Sequence, residues 1–585
     1  MTSGAIEAPV RPPVCDWDSA PNPTFNAWTT VNLAEVFPGV AWPFDASWYH
    51  RWQTKYLRLA LRKLEIEDLV PLYPWPIPNF LGFFAGQCAA NVGLTTAIVS
   101  AYQVDGGSSA VEQFFTADQS GDARAHTAGD VARARRTRER FFRILAQMPT
   151  ASLSDLKKAQ KLTAQVRALE LDRCSLPALR RRLEQVEVLA QNNFLHHALT
   201  SLGGAEYSSM LGEHLNGAIP GLPGDTVLTL TSGLGQVESA RPSEALWELS
   251  RWVRGRENLS ASFHEMAAEE IQDKLKAPPT SDWAELGTLF QEFIDSYGYR
   301  GQTEWMVALP DWEEDPSFPL NSLRNLVSVA DSDGPSQLHL AATKQRIEAE
   351  RYYRERLTGD QRRRYEWLLS KAKQFVRLRE FTKANCIRGI RPGRHVVLAI
   401  GGHFERQGVL LSAADIFFLF AHEVDAILEG SLNADEAKQR VSRRRAQKQS
   451  LEAGYILPDN FVGEPQVLSR GTASVSVSTL SGLGVSPGTA TGVARVVQSI
   501  DEASAVSLEP GEILVAPFTD APWTPLFLVA AAVIVETGGL LSHAATVARE
   551  FGIPAVVMVK DATRIIQTGQ RVTVDGGGGS VKLEG

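Results

Sequence analysis

The segment Val533 to Val556 reads VIVETGGLLSHAATVAREFGIPAV and sets Gly538, Gly539, Ser542 and His543 close together. An imidazole, with an ordinary pKa of about 6.5, is mostly neutral and nucleophilic near pH 7, so His543 can take up a phosphoryl group and release it. The apolar run 526–535 predicts a strand buried on both faces. The two glycines permit a sharp turn, and Ser542 caps a helix whose stripe Ala545, Val547, Ala548 and Phe551 ends at Gly552, with Pro554 beyond. Such a turn aims backbone N–H groups and the positive end of the helix dipole at whatever His543 carries. Thr537, Gly538 and Gly539 are therefore candidate phosphate-binding residues, with Ser542 as a further donor. The same string also reads as an ordinary capped turn with His543 at the surface. The chemical reading requires a ring that solvent can reach.

The rest of the chain must position this unit. Residues 1 to about 110 are dense in proline, glycine and aromatics, which predicts short strands and loops around one helix near Ser47–Leu64. Residues 112–450 carry helical periodicity, with breaks expected at Gly359 and at Arg391-Pro392-Gly393 and a loop over 220–235. A Ser/Thr/Val tract before residue 483 reads as a linker. After it, TGVARVV, EILVAP, AAVIVE, AVVMV and RVTVD alternate with turns and one helix. The fold class expected is α+β and multidomain. A mostly helical domain with some strands (1–450) leads through a linker (451–483) to a C-terminal α/β domain (484–585).

Composition narrows the function. Hydrophobic residues at 44% and charged residues at 22% are ordinary for a globular chain. The balance of 67 Asp+Glu against 59 Lys+Arg gives a net charge of -8, opposite to that of a chain built on phosphate backbones, so no nucleic-acid partner is expected. Cys15, Cys88, Cys174 and Cys386 have the spacing of neither a disulfide framework nor a zinc site, and no metal site is expected. The run Leu526–Val535 is too short to span a bilayer, and the start of the chain does not read as a secretory signal. A cytoplasmic protein with no membrane partner is expected.

The string LSHAATVAREFGIPAVV (541–557), with GLGVSPGTATGVARVV at 482–497, resembles the swivelling phosphohistidine domain of phosphoenolpyruvate-utilising enzymes. These include phosphoenolpyruvate synthase, pyruvate phosphate dikinase and rifampin phosphotransferase. The resemblance implies that His543 is the phosphorylated residue and that its domain pivots between two sites. Further segments are similar to the acceptor-binding region of rifampin phosphotransferase. WTTVNLAEVFPGVAWPF (28–44) carries Asn32, Glu35 and Trp42, and YGYRGQTEWMVALPDWEEDP (297–316) has Tyr299 where the family has histidine. LREFTKA (378–384) and the stretch 406–424 follow in the family's order. The resemblance implies that Asn32, Glu35, Trp42 and Tyr299 bind the acceptor.

Arg379 and Lys383, four apart on a predicted helix, share a face and with Arg300 could hold the transferring group. They also read as a solvated basic face. Glu304 is a candidate base for an acceptor hydroxyl, or else a structural partner of Arg300. Of His196 and His197, at most one faces a pocket, because neighbours on a helix point about 100° apart. The aromatic-rich N-terminal third reads as core or as an aromatic pocket.

Residues 1–450 contain no Gly-rich loop of the kind that binds a triphosphate. The resemblance then implies a split enzyme like the acceptor/histidine subunit of phenylphosphate synthase or of the 4-cresol-phosphorylating enzyme. ATP and Mg2+ would sit on a separate ATP-grasp subunit, with nothing bound tightly by this chain. The reaction would be of the dikinase type with paired acceptors, giving an aryl phosphate, AMP and phosphate. An antibiotic or other alcohol acceptor is the second reading, and a regulatory phosphohistidine carrier with no small-molecule acceptor is the third.

Overall fold

A computed structural model describes residues 15–31, 33, 36–103, 128–235, 237–301, 303–331, 334–452, 455–469, 478–499, 502, 508–540 and 542–584. Asn32 and Glu35 lie outside the described residues. The contacts form two compact units: residues 1–205 with 305–308 and 382–473, and residues 206–304 with 309–381 and 474–585. Compactness in one conformation and independence as a domain are different properties. The second unit holds the C-terminal α/β fold together with helices that precede it in the chain. Among the described residues, no helix is long and apolar enough to cross a membrane.

In the first unit, β1 (Ala27–Thr29), β2 (Leu81–Phe84), β3 (Gln87–Asn91) and β4 (Asn460–Val462) form an antiparallel sheet in the order β2-β3-β1-β4. Helix α1 (Pro43–Leu64) starts with proline in its first turn, where the missing N–H costs nothing, and carries Asp45 there against the dipole. Its Phe44, Trp48, Tyr49 and Trp52 are fully buried. Phe194 packs on Trp52 at 4.5 Å, so this aromatic density builds core. The half-buried Trp42 packs on Phe418 at 4.9 Å, with Lys448 Nζ 4.9 Å above its ring.

The second unit gathers α2 (Thr226–Leu230), α3 (Arg241–Arg254), α4 (Ser281–Tyr297), α5 (Pro335–Arg356) and the first part of α6 (Gly359–Arg406). The short α2 lies within the stretch expected to be a loop. The C-terminal fold adds β5 (Thr479–Ser481), β6 (Leu483–Ser486), β7 (Thr489–Val496), β8 (Ile513–Ala516), β9 (Ala532–Val535), α7 (His543–Phe551), β10 (Ala555–Val557), β11 (Arg571–Asp575) and β12 (Ser580–Leu583). Their sheet runs β5-β12-β11-β7-β8-β9-β10-β6, and β7, β8, β9 and β10 are parallel. Leu514, Ala516, Val533 and Val535 enter a core shared with Ala544, Ala548 and the helices around Trp247 and Leu286. Their neighbours Ile513, Val515, Ala532 and Ile534 enter the opposite core with Val572 and Val574. This period-2 division is what a sheet buried on both faces imposes. The outermost strands β5 and β6 are joined by Gly482 alone. Its N–H donates to Gly579 O at 2.8 Å, and a Cβ there would lie 2.4 Å from Val557 O.

Two expectations fail. The apolar run 526–535 is not one strand: Thr524–Phe527 is a helical turn with Pro525 in its first positions, and the strand covers only Ala532–Val535. Proline suits the first turn of a helix and cannot donate within a central strand. Nor does α6 break at Pro392. Within the first unit, Arg391 donates to Met306 O at 3.0 Å and Arg394 to Ala308 O at 2.7 Å. Asp45 meanwhile accepts from Val307 N at 3.1 Å. These tertiary bonds hold the helical path on either side of the proline.

Candidate active site

Helix α7 begins as its sequence demands. The Ser542 side chain accepts from Ala545 N at 3.3 Å, and Gly552 closes the helix in the left-handed region at φ 65°. Gly538 has φ 118°, and a Cβ on it would come within 3.0 Å of the Ser542 side chain, so the turn needs glycine there. Ser542 N donates to Gly539 O at 3.0 Å. The Thr537 hydroxyl donates to Pro517 O at 3.1 Å and so ties the turn to the end of β8.

His543 occupies the first turn of α7, but its ring is not open to solvent: the residue is 2% exposed. Its Nε2 lies 3.2 Å from Thr524 Oγ1, and Phe527 meets the ring edge-on at 6.1 Å. The Thr524 hydroxyl also reaches Ala521 O at 2.8 Å and Ser239 O at 3.5 Å. Thr524 and Phe527 belong to the C-terminal fold itself, whereas Ser239 comes from the segment between α2 and α3. A ring enclosed in this way cannot take up a phosphoryl group in this conformation.

Arg300 and Glu304 meet at that same segment. They form an ion pair, 2% and 1% exposed at their side chains, and Arg300 Nη2 donates to Glu238 O at 3.3 Å. Burial works against the Arg300 charge, but Glu304, Tyr299 and Glu238 outweigh it, and the guanidinium pKa is raised. Tyr299 is buried, with Arg300 Cζ 5.2 Å from its ring centre. Glu304 Oε1 pairs with Arg300, while its Oε2 is buried with no hydrogen-bond partner among the described residues, so the pairing leaves one carboxylate oxygen unengaged.

Arg379 pairs with Glu380 at 2.6 Å, and its charge bears on the buried Arg549 of α7. Burial, with Arg379 second, lowers the Arg549 guanidinium to about 10, still charged at neutral pH. Arg549 donates to Val485 O at 3.1 Å. The structure thus sets Arg300 at the segment facing the N-terminal end of α7 and Arg379 by its C-terminal half. Lys383 lies in the first unit, as do Trp42, His196 and His197. His196 Nδ1 pairs with the buried Asp155, and His197 Nδ1 lies 3.3 Å from Thr382 Oγ1.

Sequence reasoning missed Thr524, Ser239 and Glu550. Glu550 is 3% exposed on α7 and accepts from Leu234 N at 3.0 Å and Gly235 N at 2.7 Å. For Thr524 there was a signal in the stretch TDAPWTPLF, whose prolines argue for a turn rather than a strand. For Glu550 there was none, since its backbone partners lie more than 300 residues away and His339 more than 200.

Two family models match this architecture: the rifampicin phosphotransferase fourth domain over residues 196–380, and the PEP-utilising enzyme mobile domain over residues 508–579. Among curated proteins, the chain is 33% identical over 336 residues to the prodigiosin synthesizing transferase PigC of Serratia marcescens, covering 56% of this chain and 36% of that protein. It is 32% identical over 323 residues to a rifampicin phosphotransferase of Streptomyces sviceus, covering 54% and 36%. It is 28% identical over 366 residues to the uncharacterized phosphotransferase YvkC of Bacillus subtilis, covering 59% and 42%. The chain thus spans 36 to 42% of the length of these relatives.

Proposed function

From the premise that the chain belongs to the phosphoenolpyruvate-utilising enzymes and is related to rifampin phosphotransferase, we propose that it is a phosphotransferase subunit whose His543 relays a phosphoryl group from ATP to a phenolic hydroxyl. The observation that carries this reading is the start of α7. A histidine stands in the first turn of a helix capped by Ser542, behind a Gly538 whose conformation excludes a side chain. That arrangement directs helix N–H groups toward a dianion on the ring.

In the first half-reaction the His543 ring nitrogen attacks the β-phosphorus of ATP, the P–O bond to the α-phosphate breaks and AMP leaves; water then attacks the γ-phosphorus, releasing phosphate and leaving one phosphoryl group on the ring. In the second, the phenol oxygen attacks phosphorus, the P–N bond breaks, the phenol proton passes to a base and the imidazole is regenerated. The products are therefore aryl phosphate, AMP and phosphate. A phenol pKa of about 10 makes it a better nucleophile near neutrality than an alkyl alcohol. Arg300 is the candidate to offset charge on the transferring oxygens, once Glu304 shares it. ATP and Mg2+ belong to an ATP-grasp partner in this reading. Because Ser239 covers the site from outside the C-terminal fold, the reaction requires that fold to part from the segment 231–240.

The test is to mix the chain with an ATP-grasp partner encoded beside it and β-labelled ATP. Label on the wild type and none on His543→Ala is the expected result, and discharge of that label by phenols completes it. Label that persists on His543→Ala overturns the relay, and turnover of ATP to AMP by this chain alone at an enzymatic rate overturns the split. The match to the rifampicin phosphotransferase fourth domain favours a second acceptor class, a hydroxyl of a larger antibiotic. Chasing the labelled protein with a panel of phenols and bulky alcohols decides between them.

A further inference from the structure

The C-terminal end of α7 is gripped by groups that the proposed chemistry does not use. Glu550 is buried, and its two oxygens divide their partners: Oε2 takes Leu234 N–H at 3.0 Å, and Oε1 takes Gly235 N–H at 2.7 Å with His339 Nδ1 at 3.2 Å. A carboxylate tolerates such burial only when its lone pairs are met by donors, as here. The turn that supplies the donors is fixed from its other side. Thr343 Oγ1 donates to Gly233 O at 2.9 Å, Arg346 Nε to the same oxygen at 3.3 Å, and Arg377 to the carbonyls of Leu234 and Gly235. Gly233 N in turn donates to Arg549 O at 3.2 Å.

The backbone fit is close as well. Gly233 has φ 51°, and a Cβ on it would lie 2.6 Å from Thr343 N. A Cβ on Gly552, at the end of α7, would lie 3.1 Å from Ala342 Cβ. The segment that begins at this turn continues to Ser239, at the Thr524–His543 contact. A single stretch of chain therefore touches both ends of the phosphohistidine helix.

We propose that Glu550 and the Gly233–Gly235 turn form a docking clamp, separate from the chemistry, that holds α7 in its enclosed position and sets how often His543 becomes reachable. This rests on the reading of His543 as a relay only for its biological meaning; the clamp is a property of the free chain. On parting, Glu550 enters water, which solvates a carboxylate well, so the contact can open and close without leaving a buried charge unmet.

The experiment treats the full chain with diethyl pyrocarbonate and follows carbethoxylation of His543 by peptide mass mapping, with the exposed His422 as internal reference. Glu550→Ala is expected to raise the His543 rate about tenfold or more, the change in an opening equilibrium when a hydrogen bond to a charged group is lost. Glu550→Gln and His339→Gln should raise it less, while His422 stays constant. A folded Glu550→Ala protein, with unchanged circular dichroism, that leaves His543 as protected as in the wild type overturns the clamp. If Glu550→Ala does not fold, unchanged His543 rates in both glutamine variants overturn it instead. Failure of the relay is read separately, as absence of label on His543 in the mixture with partner and ATP, and does not touch the modification rates.

Discussion

The two ends of α7 are held by different means. At the N-terminal end the His543 imidazole lies 3.2 Å from the Thr524 hydroxyl, and that hydroxyl reaches the covering segment at 3.5 Å. At the C-terminal end a carboxylate takes two backbone N–H groups and an imidazole, against a turn that threonine and arginine side chains brace. The end where chemistry is proposed reaches the covering segment at 3.5 Å, and the other end is gripped more closely. In the proposed relay, this separation would let the His543 ring be freed without unmaking bonds that the reaction itself needs.

The largest effect that would sharpen this contrast is at the ring. His543→Asn should take up no label above background with partner and ATP, while its far-ultraviolet circular dichroism stays that of the wild type. Second, Arg300→Met leaves Glu304 buried without its partner and should cost about 3–5 kcal/mol in denaturant unfolding. A loss below ~1 kcal/mol would show that the pair is solvated in solution. Third, Thr524→Val should change His543 modification by less than about threefold, well below Glu550→Ala, since a weak neutral hydrogen bond contributes little net. Equal effects at the two sites would erase the comparison.

The fourth prediction concerns pH. His339 has its pKa raised, first by its hydrogen bond to Glu550, and it faces Glu550 and Glu244. Glu244 is itself raised, by burial first and then by Glu550, with His339 and Arg241 opposing. A group raised in the folded state contributes stabilisation at low pH that is lost as pH climbs through its folded-state pKa. Amide exchange at Leu234 and Gly235, corrected for intrinsic rates, should quicken above that point in the wild type and not in His339→Gln. Ser542→Ala should cost about 1 kcal/mol in denaturant unfolding for the lost cap.

The C-terminal strands and the cap were legible because their signals are local: alternating apolar residues, a hydroxyl three residues before the N–H it accepts, and a glycine where φ turns positive. The five strand runs read from sequence are all strands in the structure. Pro392 misled because its local tendency to end a helix is overridden by arginines bonded to residues 306–308. The enclosure of His543 was hidden for a similar reason. It depends on Thr524, two residues before the run expected to be a strand, and on Ser239, some 300 positions away. The spacing of Arg300 and Glu304 made a pairing readable, but not its burial. Glu550, an acidic residue near the end of an amphipathic helix, has nothing in its surroundings to distinguish it from a solvated one.

The single residue between β5 and β6 has one more consequence. Two peptide steps span at most about 7.6 Å, so the first and last strands of the C-terminal sheet come together at Gly482. Open sheet margins are where one chain recruits another into aggregates. A module that brings its own margins together there offers little for a stray strand to join.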